Sequence, residues 1–337
     1  MAAILDLSET STILKYLNAY HCIGRSATNA DTVISAPEVS RVHAVIEWFQ
    51  QQWFIRDVSH NGTWVNNEKL LKDTFRKLEL GDIVTFASGE TYGMKVADLA
   101  PPQNMLLALD ERAQQTSQAP IILTDYNLLP NEDKPEIVLF YAQCKGQWYK
   151  EFIDDANGHA YPVNDLDTLR FSEQNWQINL NSQSEQTLQL SKPKLLASQI
   201  KYRFNLSLDE ENTELHITTL DEQHSLSNNA HHYLTLNLAR YRDSDARKGL
   251  AECDQGWVLP EILAQELGYD ISLFNTHVCR AKKQFRQILG GACDGDELIE
   301  RQGRRIRFAG SFFRIYKGNE LIVNRGQGKA SLTVLHG

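Results

Sequence analysis

A chain of 337 residues is long enough for two or three domains, and its 42% hydrophobic and 23% charged residues are typical of a soluble globular protein. No apolar run approaches the roughly 20 residues of a membrane helix, and the N-terminus lacks the basic and apolar segments of a secretory signal. The five cysteines are scattered and none has CxxC spacing, which argues against a disulfide framework or a zinc site. We therefore expect a cytoplasmic protein without membrane contact, metal or other cofactor.

The net charge of −9 is unevenly distributed along the chain. Residues 273–317 carry ten Lys or Arg against four acidic residues, so this segment is +6 and the rest of the chain is −15. An evenly acidic chain would repel nucleic acid. A basic segment inside an acidic chain is either a solvated face or the binding surface for an anionic partner.

Short alternating runs of apolar and polar residues predict β-strands between about residues 20 and 98. The runs are VHAVIEW, WFIRDV, TWVN and DIVTFA, and turn residues such as Asn61-Gly62 and Gly81-Asp82 separate them. Strands at this spacing favour a β-sandwich.

A Pro-, Gln- and Asn-rich stretch over residues 100–135 is interpreted as a linker with one helix near residues 105–115. Residues 136–199 follow as a β-rich region of unknown role, with EIVLFYA and WQINLNS as strands.

From about residue 200 the pattern predicts two strands, three helices and a hairpin. The strands are KYRFNLSL and ELHITTL, and the first helix is AHHYLTLNLARYR. The second helix begins at Pro260 and ends at Gly268, as expected for a first-turn proline and a C-terminal glycine. SLFNTHVCRAKKQFRQIL is the third helix, and ELIERQGRRIRFAG is a hairpin around Gln302-Gly303.

Glycines and small polar side chains cluster where the N-terminal strands end. They occur as Gly24-Arg25, Ser40-x-x-His43 and Asn61-Gly62-Thr63-x-x-Asn66. A phosphate dianion requires a fixed cation and several O–H or N–H donors, which these side chains can supply. The motifs therefore either only shape the turns or together bind a phosphate.

In this order the motifs resemble the forkhead-associated (FHA) domain, with Asp57 and the segment Leu80-Gly81-Asp82-Ile83 as further matches. The resemblance covers about residues 20–98. FHA domains bind phosphothreonine peptides, so the resemblance implies a Thr-phosphorylated partner protein and a Ser/Thr protein kinase that modifies it.

The resemblance also implies individual roles for these residues. His43 would brace the Ser40 loop, and Asn66 would brace the Asn61 loop. The implied phosphopeptide contacts are Arg25, Ser40, Arg41, His60, Asn61 and Thr63. The implied loop-structural residues are Gly24, His43, Gly62 and Asn66.

The third predicted helix has two different faces. An apolar stripe runs from Phe274 to Leu289, and the opposite face combines short polar groups with cations, which suits a DNA major groove. Arginines at the tip of the following hairpin suit phosphates or the minor groove. The predicted DNA contacts are Thr276, His277, Arg280, Lys283, Arg286, Arg304 and Arg305.

THVCRAKKQF resembles the recognition helix of response-regulator winged helices of the OmpR/PhoB kind, and LIERQGRRIRFAG resembles their wing. This resemblance covers about residues 200–317 and implies a DNA-binding winged helix-turn-helix. Residues 290–297, GGACDGDE, depart from the family because they make the connection to the wing acidic.

The expected fold class is multidomain, β plus α+β, with an N-terminal FHA β-sandwich and a C-terminal winged helix. The expected domains are 1–99 (FHA), 100–135 (linker), 136–199 (β-rich), 200–318 (winged helix) and 319–337 (tail).

Three functional hypotheses remain. The first is a phosphothreonine-binding transcriptional regulator in Ser/Thr kinase signalling that binds double-stranded DNA, with a homodimer as a candidate state. The second is a protein adaptor whose winged helix binds protein. The third is an enzyme, which we do not expect because the sequence shows no nucleophile elbow, phosphate loop or paired metal ligands.

Overall fold

The computed structural model describes residues 1–7, 14–87, 92–143, 145–155, 158–181, 200–219, 222–289 and 298–326. The acidic connection at residues 290–297 lies outside these ranges. The chain divides into two compact units. The first comprises Met1–Thr124 with Asn164–Thr187, and the second comprises Asp125–Val163 with Leu188–Gly337.

A β-sandwich occupies the N-terminal part of the first unit. One sheet has the order β2-β1-β11-β10-β7-β8 and the other has the order β4-β3-β5-β6-β9. The predicted strands are confirmed as β5, β6, β7 and β10. The strands are β1 (Ala3–Asp6), β2 (Leu14–Tyr16), β3 (Tyr20–Gly24), β4 (Thr32–Val33), β5 (Ala44–Phe49), β6 (Gln52–Asp57), β7 (Thr63–Val65), β8 (Glu68–Lys69), β9 (Phe75–Lys77), β10 (Ile83–Phe86) and β11 (Gly93–Asp98).

Alternation along the strands builds the core of the sandwich. In β6, Trp53 and Ile55 are buried while Phe54 between them is half-buried, because successive side chains point to opposite faces. These two residues pack with Ile23, Ile46 and Phe86 from neighbouring strands. The strand ends, and the loops that join them, are held in place by this core.

Two four-stranded sheets follow in the chain. The order β13-β12-β19-β18 belongs to the first unit, and the order β14-β15-β16-β17 belongs to the second. The predicted strands EIVLFYA and WQINLNS are confirmed as β15 and β19. The strands are β12 (Met105–Leu109), β13 (Ile121–Ile122), β14 (Tyr126–Leu129), β15 (Ile137–Ala142), β16 (Gln147–Phe152), β17 (Tyr161–Val163), β18 (Thr168–Phe171) and β19 (Gln174–Asn179).

The prediction of a helix near residues 105–115 is wrong. Residues Met105–Leu109 form β12, all five side chains are buried, and each residue is paired with one in β19. A continuous apolar run is typical both of a strand buried on both faces and of a buried helix. The pairing with β19, which lies far along the chain, decides in favour of the strand. The stretch predicted as a linker thus contains strands, while the domain boundaries stay a prediction.

The rest of the second unit contains a mixed sheet, three helices and a hairpin. The sheet order is β22-β21-β20-β25-β26, with β20 and β25 parallel. The predicted strands, helices and hairpin are confirmed as elements, and β26 lies in the predicted tail. The elements are β20 (Lys201–Leu206), β21 (Thr213–Thr218), β22 (Gln223–Leu226), α1 (Ala230–Arg247), a 3-10 turn (Glu252–Asp254), α2 (Pro260–Leu267), α3 (Ile271–Leu289), β23 (Ile299–Gln302), β24 (Arg305–Phe308), β25 (Phe312–Lys317) and β26 (Glu320–Arg325).

Local signals set the ends of the last two helices. Pro260 begins α2, and Gly268 ends it at a left-handed φ of 71°. The Asp270 carboxylate accepts a hydrogen bond from the Leu273 N–H at 2.8 Å, which caps α3. The predicted apolar stripe of α3 is buried in the core of the unit, where Phe285 packs near Tyr202.

Within the described ranges, no helix is long and apolar enough to cross a membrane. In the same residues, no group of three or more His, Cys, Asp or Glu is arranged to hold a metal ion. Cys22, Cys253 and Cys279 are free thiols, and the other two cysteines lie outside the described residues.

Candidate functional site

Three loops meet at one end of the sandwich. The Arg25 N–H donates to the Ser40 carbonyl at 3.0 Å, and the Ser26 N–H donates to the Arg41 carbonyl at 3.2 Å. Gly24 permits this approach because an added Cβ would lie 2.2 Å from the Arg41 carbonyl oxygen. The end of β3 is therefore fixed against the loop that precedes β5.

His43 joins the second loop to the third. Its Nδ1 accepts a hydrogen bond from the Ser40 N–H at 3.0 Å, so the proton is on Nε2, which donates to the Gly62 carbonyl at 2.9 Å. The ring is fully buried, and burial lowers the pKa of His43. A neutral ring with both nitrogens engaged is suited to bracing the loops and is not available as a general base.

The groups left facing solvent are those that a phosphate requires. Arg25, Arg41, His60 and Asn61 are exposed, and Ser40 is half-buried. Among the described residues, neither arginine forms an ion pair with a carboxylate. The Ser40 hydroxyl accepts from the His60 N–H at 3.2 Å, which leaves its own proton free to donate. One Asn61 amide hydrogen is bonded to the Glu38 carbonyl at 2.7 Å, which orients the rest of that amide.

The predicted phosphate contact of Thr63 is wrong. Thr63 is fully buried, and its hydroxyl donates to an Asp57 carboxylate oxygen at 2.8 Å. The same oxygen accepts from the Ser59 N–H at 3.1 Å, and the Ser59 hydroxyl accepts from the Gly62 N–H at 2.7 Å. Thr63 points inward because it begins β7 on the buried side of the strand, and its hydroxyl stabilises the turn.

Asn66 also acts at a different place from the one predicted. Its side-chain Nδ2 donates to the Asp82 carboxylate at 2.7 Å, and its side-chain Oδ1 accepts from the Ile83 N–H at 2.9 Å. It adopts a left-handed φ of 50°, which asparagine tolerates better than most residues. Asn66 therefore braces the turn before β10 and not the Asn61 loop.

Lys69 is a cation at this site that sequence reasoning missed. Its side chain crosses the Asn61-Gly62 turn, because a Cβ at Gly62 would lie 3.2 Å from the Lys69 Nζ. The Lys69 Nζ is 5.3 Å from the centroid of the Trp64 ring, and the two residues are paired across β7 and β8. The tight turn at Asn66-Asn67 was the signal that could have placed Lys69 opposite Trp64.

Most of the polar face of α3 is covered by other parts of the second unit, which corrects the predicted DNA-reading surface. Thr276 and His277 are 4% and 6% exposed, and the Thr276 hydroxyl donates to the Ser272 carbonyl within the helix. The Asn275 amide donates to the Ile153 carbonyl at 2.8 Å. Cys279 packs with apolar residues of the β14–β17 sheet, and burial raises the pKa of its thiol to about 12.

The cations of α3 contact the same sheet and the loop that joins β14 to β15. The Arg286 guanidinium is 4.9 Å from the centroid of the Tyr126 ring and 5.0 Å from that of Phe140. Lys283 forms an ion pair with Glu132 at 2.7 Å, and Arg280 donates to the Glu132 carbonyl at 2.8 Å. These partners are distant in sequence, so the helical pattern alone gave no sign of them.

The hairpin arginines remain at the surface. Arg304 is 61% exposed and pairs with Glu261 at 2.7 Å, while the exposed Arg305 lies 5.9 Å from the centroid of the Trp257 ring. Val258 pairs with Ile306 through two backbone hydrogen bonds of 3.0 and 2.9 Å. This pairing ties the segment before α2 to the hairpin.

Residues 21–87 match the family model of the FHA domain. The matched stretch contains the three loops and the β-strands that position them. The chain therefore has an N-terminal FHA domain. None of the curated proteins matches the chain.

Solved FHA domains are similar to this part of the chain. One, from a study of phosphothreonine-dependent FHA domain interactions, has 27% identity, covers 29% of this chain and 97% of its own, and gives a TM-score of 0.25. The FhaA FHA domain, solved with the intracellular domain of another protein, has 26% identity over 28% of this chain and 99% of its own, with a TM-score of 0.25. The N-terminal FHA domain of Rad53p from S. cerevisiae, in complex with a phosphothreonine peptide, has 19% identity. The match covers 28% of this chain and 91% of that one, with a TM-score of 0.27.

Proposed function

We propose that this protein binds a phosphothreonine peptide of a partner protein at the three loops of its FHA domain. The observation that carries the proposal is the pair of exposed guanidinium groups, Arg25 and Arg41, on loops fixed to each other by backbone hydrogen bonds. Such cations attract a dianion more strongly when no internal carboxylate neutralises them. The partner would be modified by a Ser/Thr protein kinase.

Each group at the loops has a role in this proposal. The guanidinium of Arg25 and the hydroxyl of Ser40 donate to phosphate oxygens, with Arg41 adding charge. The amide of Asn61 binds the peptide backbone, since an asparagine side chain offers both a donor and an acceptor. His60 lies beside it and contacts a neighbouring peptide side chain. Lys69 adds a further positive charge to this edge.

Calorimetry on the full chain tests the proposal. We expect a peptide library selected for binding to yield sequences that bind only when their threonine is phosphorylated. The unphosphorylated peptide is the matched control, and the phosphoserine version shows whether the threonine methyl group is sensed. Equal affinity for the phosphorylated and unphosphorylated forms would contradict the proposal.

We further propose that the helices and hairpin of the second unit form a winged helix that binds double-stranded DNA. The observation that favours it is the order α1, α2, α3 and hairpin, with Val258 paired to Ile306 in the second strand of the hairpin. Arg304 and Arg305 lie at the exposed hairpin tip, which suits contact with DNA phosphates. In this proposal the protein is a cytoplasmic transcriptional regulator, with a homodimer as its candidate DNA-binding state.

DNA binding by the full chain is expected to weaken as salt increases, because phosphate contacts release counterions. Replacing both Arg304 and Arg305 with alanine should reduce the slope of log affinity against log salt by about two. The control is Arg247→Ala with Lys248→Ala, which removes two exposed cations at the end of α1 in the same unit. An unchanged slope in the hairpin variant would favour the adaptor hypothesis.

A further inference from the structure

The loop between β14 and β15 places two carboxylates on cations of α3. Glu132 Oε1 is 2.7 Å from the Lys283 Nζ, and Asp133 Oδ1 is 3.2 Å from the Arg280 Nη2. The Arg280 Nε also donates to the Glu132 carbonyl oxygen at 2.8 Å. The hydrogen bond from Lys283 holds the pKa of Glu132 below its usual range, so this carboxylate is charged at neutral pH.

The remainder of the β14–β17 sheet covers the same face of the helix. Tyr126, Val138 and Phe140 form an apolar cluster with Cys279. Arg286 lies over Tyr126 and Phe140 and donates to the Tyr141 carbonyl at 3.4 Å. A helix that reads the major groove needs its polar face free, because the groove admits the helix alone. The covered face cannot enter a groove in this conformation.

We propose that the β14–β17 sheet is a built-in cover of α3, in which Glu132 and Asp133 occupy the positions of DNA phosphates. This inference rests on the proposed DNA-binding function of the second unit. Carboxylates and phosphates are both oxyanions that take charge-assisted hydrogen bonds from lysine and arginine. The loop and DNA therefore compete for Arg280 and Lys283, and the cover sets the affinity for DNA.

The contact at this loop is weaker than a permanent core contact. The Glu132 and Asp133 side chains are 59% and 95% exposed, and ion pairs with exposed partners add little stability. An open polar pocket of about 420 Å³ lies beside them. It is lined by His277, whose buried Nδ1 has no hydrogen-bond partner among the described residues. Unsatisfied groups and open space at this edge favour separation here, whereas the apolar stripe of α3 stays packed in the core.

Removal of the two charges in the full chain tests the proposal. We expect Glu132→Gln with Asp133→Asn to bind double-stranded DNA roughly 3- to 10-fold more tightly than wild type at low salt, since two partly exposed pairs are lost. The control is Glu210→Gln, which removes one carboxylate that pairs with Arg240 and Lys317 elsewhere in the unit. Its DNA affinity should stay at the wild-type value.

A second measurement needs no DNA. Alkylation by iodoacetamide, read by mass spectrometry, reports the exposure of Cys279 beneath the sheet, with Cys22 in the first unit as internal reference. We expect the ratio of Cys279 to Cys22 labelling to rise in the charge-removal variant and to stay constant in the control.

The outcomes separate the two proposals. Tighter DNA binding together with faster Cys279 labelling supports the cover. Equal DNA affinity of wild type and variant overturns the cover while leaving the DNA-binding function in place. If neither protein binds DNA at low salt, the DNA-binding function fails, and the cover fails with it.

Discussion

Arg25→Ala in the full chain is expected to lower the affinity for a phosphothreonine peptide by about 100-fold, which takes a micromolar dissociation constant to about 0.1 mM. A hydrogen bond to a charged group contributes about 1.5–3 kcal/mol, and a guanidinium can form two to one phosphate. Because Arg25 is exposed and its backbone bonds do not depend on its side chain, the stability of the domain should change by less than about 0.5 kcal/mol.

The control for this substitution is Arg76→Ala, which removes an exposed arginine from β9 of the same sandwich. Its peptide affinity should equal that of wild type. The peptide affinity of Arg25→Lys should lie between those of wild type and Arg25→Ala, since lysine keeps the charge but loses the planar fork of donors. Unchanged affinity in Arg25→Ala would remove Arg25 from the site, and a parallel loss of melting temperature would mean that its role is structural. Calorimetry and thermal melting of the same preparations distinguish these results.

Gly24→Ala is expected to impair both folding and peptide binding. An added Cβ would lie 2.2 Å from the Arg41 carbonyl oxygen, and that atom belongs to backbone that cannot rotate away. If the end of β3 moved away from the second loop to relieve this clash, the hydrogen bonds from Arg25 and Ser26 to that loop would break. Overpacking and the two lost bonds together should cost about 2–4 kcal/mol.

The control is Gly93→Ala at the start of β11, where an added Cβ would lie 3.4 Å from the Leu7 Cδ1, at the edge of ordinary contact. We expect this variant to remain within about 1 kcal/mol of wild type. Urea unfolding gives both free energies of unfolding, and calorimetry at low temperature, where each variant is folded, gives the peptide affinities. A Gly24→Ala protein as stable as Gly93→Ala would show that the three loops are not held by this close approach.

The different placements of the predicted site residues follow from the orientation of strand ends. Arg25, Ser40 and Asn61 occupy loop positions, and each has its polar group at the surface as the motif suggested. Thr63 begins a strand, and the alternation of that strand turns its hydroxyl toward Asp57. A motif records which residues are present, whereas the start of the strand decides whether a hydroxyl faces a ligand or the interior.

The sequence by itself determined most of the local elements and the family of the N-terminal domain. Alternation gave the strands from Ala44 to Asp57, and the first-turn proline and C-terminal glycine gave the bounds of α2. These signals are local because they depend on residues within a few positions of each other. The FHA motif was readable for the same reason, since each of its parts is a short stretch at the end of a strand.

Only the tertiary structure decided what covers α3 and what β12 pairs with. The Glu132 carbonyl oxygen that accepts a hydrogen bond from Arg280 is 148 positions away in the sequence. β12 pairs with β19, which is also far along the chain. A basic helix face has the same periodicity whether it faces water, DNA or another part of its own chain. The free energy that chooses among these comes from burial of surfaces that the local pattern does not contain, and it is fixed only when distant segments pack.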